Sequence, residues 1–397
     1  MNLDGAALVV HLFVDAGTQP ADGELDYLEQ IWKRLRTEPP DVPQDETAPE
    51  LGLSVRIADL PIEPSLTDGT GLLAGIRRPG ATAPHVEEAL LRREHDTFCL
   101  SLMREPAGAT WASLEQDWLR VTRGLKAPSG LIGVALVFQA GLPRPGLLAR
   151  LRSRGRPDPA ALVGPVRDLL PDPGTESGSE AAPHRWSSGV VVSHGYVVWE
   201  ASDAADERAT RRIVVVTPDD RRDWLSGWTW VVGPDRHLPD LGRYLKHAAQ
   251  LRYQLRVWRT ERPAVRAARA SAEATVDELL GLLDTGRSTS ARLLDAARHI
   301  TALQADERGL VRTHTALVAM RCTVDIATAN LTAESDPDAG GLFADDRRDQ
   351  SGCSEGTSRV TVRCAHPRSG QLRSVLPVQG GGRCLVVGSD PRGYAAD

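Results

Sequence analysis

The chain has few lysines, few cysteines and no long hydrophobic run. Its 397 residues include 47 basic ones, but the only lysines are Lys33, Lys126 and Lys246. None of these precedes serine or threonine, which excludes a Walker-type P-loop. The sequence also contains no HExxH and no CxxC, so we exclude metalloprotease chemistry of the HExxH type.

No apolar stretch approaches the length of a membrane span, and the N-terminus lacks a charged-then-apolar export pattern. We therefore expect a cytoplasmic protein. The five cysteines are an odd number and do not indicate a disulfide framework. Cys353, Cys364, His366 and Cys384 match no compact zinc-knuckle spacing, so we expect neither a metal nor a cofactor.

The net charge of −6 argues against bulk attraction to nucleic acid or to an anionic membrane. With 41% hydrophobic and 25% charged residues, the composition is that of an ordinary globular protein. The length suffices for two or three domains.

Hydrophobic periodicity in the first third predicts an alternation of strands and helices. The predicted strands are 6–14, 51–60, 96–105 and 131–139, and the predicted helices are 21–36, 84–93 and 110–123. This order predicts an α+β class with an N-terminal ferredoxin-like βαββαβ sheet over residues 1–140.

A Pro/Gly-rich linker is predicted over 141–188, followed by a small β unit over 189–235. Strands at 190–200, 211–218 and 227–232 would form a second small antiparallel sheet. Tryptophans recur nearby and predict a core contact between this sheet and the next helix: Trp224, Trp228, Trp230 and Trp258.

From residue 238 the chain reads as helical. Apolar residues three and four apart predict a long helix over 238–262, stopped or kinked by Pro263. Three more helices, at 264–284, 288–306 and 308–332, would complete an antiparallel helical bundle over 236–346. Residues 347–397 lose the helical period, and we expect a disordered tail, of either natural or frame-shifted origin.

His194 follows a hydrophobic strand and precedes Gly195, which is similar to the histidine motif of caspase-like proteases. Such a histidine needs a cysteine nucleophile at the end of a later strand. No cysteine lies between Cys99 and Cys322. A hairpin-turn or surface histidine is therefore the preferred interpretation, and we expect no catalytic residues.

The long helix carries six basic residues against one acid, Glu261, and these form a candidate partner-binding set: Arg243, Lys246, Arg252, Arg256, Arg259 and Arg262. One interpretation is a surface for an acidic protein or for RNA. The other is a solvated face, partly matched by acids on the following helix. We call these six residues the basic set.

Several segments together resemble one family. They are LVVHLFV, LLRREHDTFCLSL, the tryptophan-bearing helix that follows, GWTW, LGRYLKHAAQLRYQLRVW and VRTHTALVAMRCTVDIATANL. In this order, over about residues 6–346, they resemble the CATRA proteins, the caspase- and TPR-repeat-associated components of bacterial conflict systems.

The resemblance implies a non-enzymatic adaptor, scaffold or sensor in a defence system. Its partner would be a caspase-like protease or a TPR-repeat protein of the same system. Apart from the resemblance, the helical bundle offers a surface through which the chain could form a homo-oligomer. Two alternatives stay open: a caspase-like cysteine hydrolase using His194, and an RNA-binding protein using the arginine-rich helix 243–262.

Overall fold

The structure is a computed structural model. It describes residues 4–16, 22–37, 70–79, 86–142, 158–171, 185–186, 189–192, 194–202, 209–218, 222–230, 238–284 and 290–334. The predicted strand at 51–60, the tail from 347 and most of the predicted linker lie outside this part of the chain.

The described elements are nine strands and six helices. The strands are β1 (Asp4–Asp15), β2 (Thr70–Pro79), β3 (Val86–Glu94), β4 (Thr97–Glu105), β5 (Leu131–Leu142), β6 (Arg185–Trp186), β7 (Val190–Val191), β8 (Val197–Ser202) and β9 (Thr210–Pro218). The helices are α1 (Asp22–Thr37), α2 (Trp111–Thr122), α3 (Pro159–Arg167), α4 (Arg222–Thr229), α5 (Asp240–Asp284) and α6 (Ser290–Glu334). The α+β class is therefore confirmed.

The described strands join in a single sheet with the order β2-β3-β4-β1-β5-β9-β8-β6, and β7 also pairs with β8. All neighbouring pairs are antiparallel except β5 and β9, which are parallel. The prediction of a second, separate small sheet is wrong, because β9 hydrogen-bonds along the edge of β5 and continues the first sheet.

Two local predictions are also wrong. Residues 86–94, expected to be helical, form strand β3, whose Leu90 and Leu91 are both buried on opposite faces of the sheet. The expected strand at 227–232 begins inside helix α4, where the hydroxyl of Thr229 donates to the carbonyl of Leu225 one turn earlier. In both segments the local pattern of apolar residues is compatible with a helix and with a strand. Contacts with distant parts of the chain determined which of the two forms.

The apolar core on one face of the sheet is built with α1 and α2. Every second side chain of β1 faces this core, and Leu12 of β1 belongs to the same hydrophobic cluster as Leu28 of α1 and Leu114 of α2. A capping box between Thr110 and Ser113 starts α2. These helices cover that face of the sheet.

The other face is crossed by α4 and by the beginning of α5. A Cβ built on Gly133 of β5 would lie 3.0 Å from the Cβ of Ala249 on α5. Glycine at 133 thus permits α5 to approach the centre of the sheet closely. Leu241, Leu245 and Ala248 are buried along this stretch of α5.

The chain divides into two compact units. The described residues up to Tyr253 belong to the first, and Gln254–Ala329 belong to the second. We call them the sheet unit and the two-helix unit.

The two-helix unit contains most of α5 and α6, each of 45 residues. The prediction of four shorter helices is wrong, because two long helices are observed. Pro263 lies inside α5, and α6 continues through the break predicted between residues 306 and 308. Pro263 is exposed, so the carbonyl that loses its usual helical hydrogen bond there can be hydrated. Among the described residues, no helix combines the length and apolarity needed to cross a membrane.

Candidate functional site

Three buried charges lie together in the sheet unit, on the face of the sheet that the beginning of α5 crosses. Arg211 of β9 donates from Nε and Nη2 to the two carboxylate oxygens of Glu200 on β8, at 2.9 and 2.7 Å. Nη2 of Arg252 on α5 lies 3.8 Å from the same carboxylate. The side chains of Arg211, Glu200 and Arg252 are only 4%, 9% and 2% exposed, respectively. We call them the Glu200 triad.

The Glu200 triad follows from strand register. Glu200 lies opposite Ile213, and side chains two apart on β9 share a face, so Arg211 projects beside Glu200. A bidentate arginine–carboxylate pair of this geometry fixes both side chains. The nearby Arg252 ties the start of α5 to the sheet.

A second buried ion pair lies on the opposite face, beneath α2. Nη2 of Arg212 donates to Glu115 Oε2 at 2.9 Å and to the carbonyl of Pro171 at 2.6 Å. Its guanidinium carbon lies 5.3 Å from the ring centroid of Phe138. Burial raises the pKa of Glu115 to about 7, and the charge of Arg212 opposes that rise.

His11, in the middle of β1, is fully buried on the α5 side. Its Nε2 lies 3.2 Å from the carbonyl of Thr229, so Nε2 donates there. In the neutral ring Nδ1 then accepts from the hydroxyl of Ser101, 2.9 Å away. Burial lowers the pKa of His11 to about 4, which keeps the ring neutral at pH 7.

A second buried histidine lies on α5. His247 Nδ1 is 3.1 Å from Gln250 Oε1, and Gln250 Nε2 donates to Thr97 Oγ1 at 3.3 Å. Burial, followed by the positive charge of Lys246, lowers the pKa of His247 to about 3. Both buried histidines therefore act as neutral hydrogen-bonding groups. His11 links β1 to α4, whereas His247 bonds within α5 to Gln250, which in turn bonds Thr97 next to it in the sheet.

The structure does not bring the basic set together on one surface. Lys246 and Arg252 are buried, whereas Arg259 and Arg262 are exposed. Arg243 is intermediate and bonds Asp240 Oδ1 at 2.7 Å. Arg256 is intermediate as well. Partner binding by the basic set stays a prediction, and the exposed arginines are its best candidates.

His194 lies at the turn between β7 and β8. The turn is closed by a hydrogen bond from the amide of Gly195 to the carbonyl of Val192, at 2.7 Å, and Gly195 has a φ of 78°. The exposed imidazole of His194 stacks on Tyr196, with ring centroids 5.7 Å apart. This placement agrees with the hairpin-turn interpretation.

The described cysteines are Cys99 and Cys322. Cys99 is fully buried in β4, and burial raises the pKa of its thiol to about 12. A thiol with that pKa is not a nucleophile at pH 7. Cys322 is half-buried on α6. Cys353, Cys364, His366 and Cys384 lie outside the described residues, and the described ones contain no cluster of three potential metal ligands.

The four tryptophans differ in their surroundings. Trp224 is 71% exposed, and Trp228 stacks at an angle on Tyr196. Trp230 is buried and donates to Glu88 Oε2 at 3.2 Å. Trp258 is buried at 6% exposure and belongs to the two-helix unit.

Sequence reasoning missed the buried ionic residues Glu200, Arg211, Arg212 and Glu115. A signal was present for the first three, since Glu200 interrupts the apolar strand VVWEAS and two adjacent arginines precede the valines of TRRIVVVTP. A charge inside a buried strand requires a partner, which the sequence alone does not name.

Two family models match the chain in succession. The CASPASE and TPR Repeat-Associated N-terminal domain, CATRA-N, covers residues 7–233. The corresponding C-terminal domain, CATRA-C, covers residues 239–351. No curated protein and no solved structure gave a significant match. With both domains present in order over residues 7–351, the chain belongs to the CATRA family.

Proposed function

We propose that this protein is a non-enzymatic adaptor, scaffold or sensor in a caspase-associated bacterial conflict system. The observation that carries the proposal is the succession of CATRA-N and CATRA-C over residues 7–351, a family described as caspase- and TPR-repeat-associated. The partner in this proposal is a separate caspase-like protease or a TPR-repeat protein, and the setting is the cytoplasm.

The distribution of charge supports an adaptor. In the sheet unit, Glu200 and Arg212 are held by bonds to other side chains of the fold. The two-helix unit presents exposed arginines that recur along α5, among them Arg259 and Arg262. Charges held inside a fold stabilise one structure, whereas exposed charges are accessible to another protein.

The fold itself supports a rigid platform. We infer a ferredoxin-like unit formed by β1, α1, β3, β4, α2 and β5. The strand order β3-β4-β1-β5, with every neighbouring pair antiparallel, supports this inference. The sheet extends beyond this unit at both edges, with β2 next to β3 on one side and β9, β8, β7 and β6 beyond β5 on the other.

We further infer that α5 and α6 form an antiparallel pair as the core of a bundle. His299, early in α6, has its Nδ1 3.6 Å from Glu278 Oε2, late in α5. A contact between the end of one helix and the start of the next is the one that an antiparallel hairpin makes.

The alternative of a cysteine hydrolase has less support. Its histidine, His194, lies in an exposed turn, and the described cysteine of the same unit, Cys99, is a buried thiol of high pKa. RNA binding through 243–262 would need Lys246 and Arg252 at the surface, and both are buried.

The adaptor proposal is tested by co-purification with the caspase-like protease and with the TPR-repeat protein of the same system. The wild-type chain should retain one of them, and the double variant Arg259→Glu/Arg262→Glu should retain less. A matched control is Arg120→Glu/Arg123→Glu, which changes the same charge on exposed residues at the end of α2. Retention of neither protein, or peptide hydrolysis by the chain alone, would overturn the proposal.

An RNA binder would give a different result in the same preparation. It would retain RNA in an amount that falls steeply as salt rises, whether or not a protein partner is present.

A further inference from the structure

One exposed stripe of α5 in the two-helix unit changes sign along its length. Residues of this stripe recur every three or four positions and therefore share one side of the helix. It begins with arginines and continues with acids and a leucine: Arg259, Arg262, Arg266, Arg269, Glu273, Asp277 and Leu280. We call it the two-sign stripe.

The two-sign stripe is open to solvent. Arg262, Arg266 and Asp277 are exposed, and Leu280 is 56% exposed. Its centre is paired within the helix, where Arg269 Nη2 lies 2.6 Å from Glu273 Oε1. That pair is itself 41% and 60% exposed. The packed side of α5 is a different line of residues, which includes the half-buried Ala272 and Leu279.

The separation of charge exceeds what solubility requires. A solvated helix face is usually stabilised by acids and bases mixed at four-residue spacing. Here the arginines lie together on the N-terminal side and the acids together on the C-terminal side. Such a helix is complementary to a copy of itself running in the opposite direction.

We propose that the two-sign stripe is a homodimer interface, in which α5 packs antiparallel on α5 of a second copy of this chain. A two-fold axis between Ser271 and Ala272 would place Arg266 opposite Asp277 of the partner subunit. The same axis places Arg262 beside Leu280 of the partner subunit, so that its aliphatic stem covers the exposed leucine. A two-fold interface makes each contact twice, which is the usual form of a homodimer.

At the centre of the stripe, Arg269 and Glu273 lie on either side of the axis. The Arg269–Glu273 pairs of the two copies would meet there in one network. From Arg259 to Leu280 the stripe is about 32 Å long at 1.5 Å per residue. That is about three heptads, roughly the shortest length over which a paired helix becomes stable.

This inference does not rest on the adaptor role, because it concerns the chain by itself. Analytical ultracentrifugation of the full chain should show a dimer whose dissociation constant rises with salt, as for exposed ion pairs. A wild-type chain that remains a monomer at low salt would overturn the proposal.

Charge reversal then tests the pairing. The variant Arg262→Glu/Arg266→Glu makes the stripe acidic, and Glu273→Arg/Asp277→Arg makes it basic. Each alone should raise the dissociation constant by roughly a hundredfold, because like charges would face each other across the axis. The second variant keeps every arginine of the basic set, so its effect cannot come from loss of those residues.

An equimolar mixture of the two variants should dimerise again, because an acidic stripe then faces a basic one. The control Arg120→Glu/Arg123→Glu should dimerise like the wild type. Circular dichroism should show unchanged helix content in all variants. A dissociation constant like that of the wild type in either single variant, or no gain in dimerisation in the mixture, would overturn the proposal.

Discussion

The two units of this protein differ in their ion pairs, because among the described residues only the sheet unit has buried ones. In the sheet unit, Glu200 and Arg211 are less than a tenth exposed and bonded to each other. In the two-helix unit, Arg269 and Glu273 form a bond of similar length with 41% and 60% of their side chains exposed. Similar distances thus belong to interactions of very different strength, since water screens the second pair and not the first.

The difference separates residues that maintain the fold from residues available to partners. A buried charge that loses its partner stays desolvated, so the sheet unit tolerates little change at these positions. An exposed charge can be exchanged at little cost in stability, and the two-helix unit can therefore carry a binding surface.

The largest effect is expected from removing the carboxylate of the Glu200 triad. Glu200→Ala leaves Arg211 and Arg252 buried without that anion, and breaking a buried pair costs about 3–5 kcal/mol of unfolding free energy. Urea unfolding measures this cost. The control Asp295→Ala breaks the exposed pair of Asp295 with Arg298 on α6, outside the two-sign stripe, and should cost at most a few tenths of a kcal/mol. Equal costs for both variants would remove the distinction between the units.

Trp258 tests the same contrast between buried and exposed side chains inside the two-helix unit. Most α5 side chains of that unit are exposed, whereas Trp258 is buried. Trp258→Ala should lower the unfolding free energy by about 3–5 kcal/mol, the usual cost of emptying a large buried site. Trp224→Ala is the matched control, since that side chain is 71% exposed, and it should change stability by less than about 0.5 kcal/mol. A cost below about 1 kcal/mol for Trp258→Ala would show that its burial contributes little.

The pH dependence of stability tests His11. A histidine exposed to water has a pKa of 6.5, whereas the pKa of His11 in the fold is about 4, so between these pH values the unfolded chain binds more protons. The free energy of unfolding is therefore not reduced by His11 above pH 6.5, and it falls as the pH drops from 6.5 towards 4. The loss is about 3 kcal/mol for a shift of this size.

His11→Gln should therefore lose about 3 kcal/mol less than the wild type when both are taken from about pH 7 to about pH 4. His247 acts in the same direction and remains in both proteins. Glu115 acts oppositely, because its pKa is raised from 4.5 to about 7 and the fold holds its proton more tightly between these pH values. Parallel stability curves for the two proteins would show that His11 is not the titrating group.

The smallest effect is expected at His194. His194→Ala removes an exposed ring stacked on Tyr196 and should change neither stability, beyond about 0.5 kcal/mol, nor co-purification with a partner. Peptidase activity of the wild-type chain that disappears in this variant would instead establish the hydrolase alternative.

Several elements could be predicted from sequence because their pattern is local. The strand around His11, the helix with Trp111 and Trp118, and the strand ending near Gln139 were all anticipated within a few residues. Their apolar residues alternate or recur with one clear period, and this period is set by neighbours in the chain. The resemblance to the CATRA family was also visible in the sequence and is confirmed over both domains.

Partners distant in the chain could not be predicted in the same way. Glu115 and Arg212 are 97 residues apart, and His11 and Thr229 are 218 apart. Nothing in either local sequence specifies the other, because the contact depends on strand order and register. The exposed Arg259 and the buried Arg252 lie in similar local sequence, and only the packing of the first part of α5 on the sheet explains why Arg252 is buried.

The sequence by itself determined the α+β class, the family and the positions of the strongly periodic elements, since each depends on residues close together in the chain. Tertiary structure alone decided that β9 joins the first sheet, that Pro263 lies within one helix and that Lys246 and Arg252 of the predicted basic set are buried. Each of these outcomes depends on which surfaces of the chain pack against each other and exclude water. That packing is a property of the whole folded chain and not of any single segment.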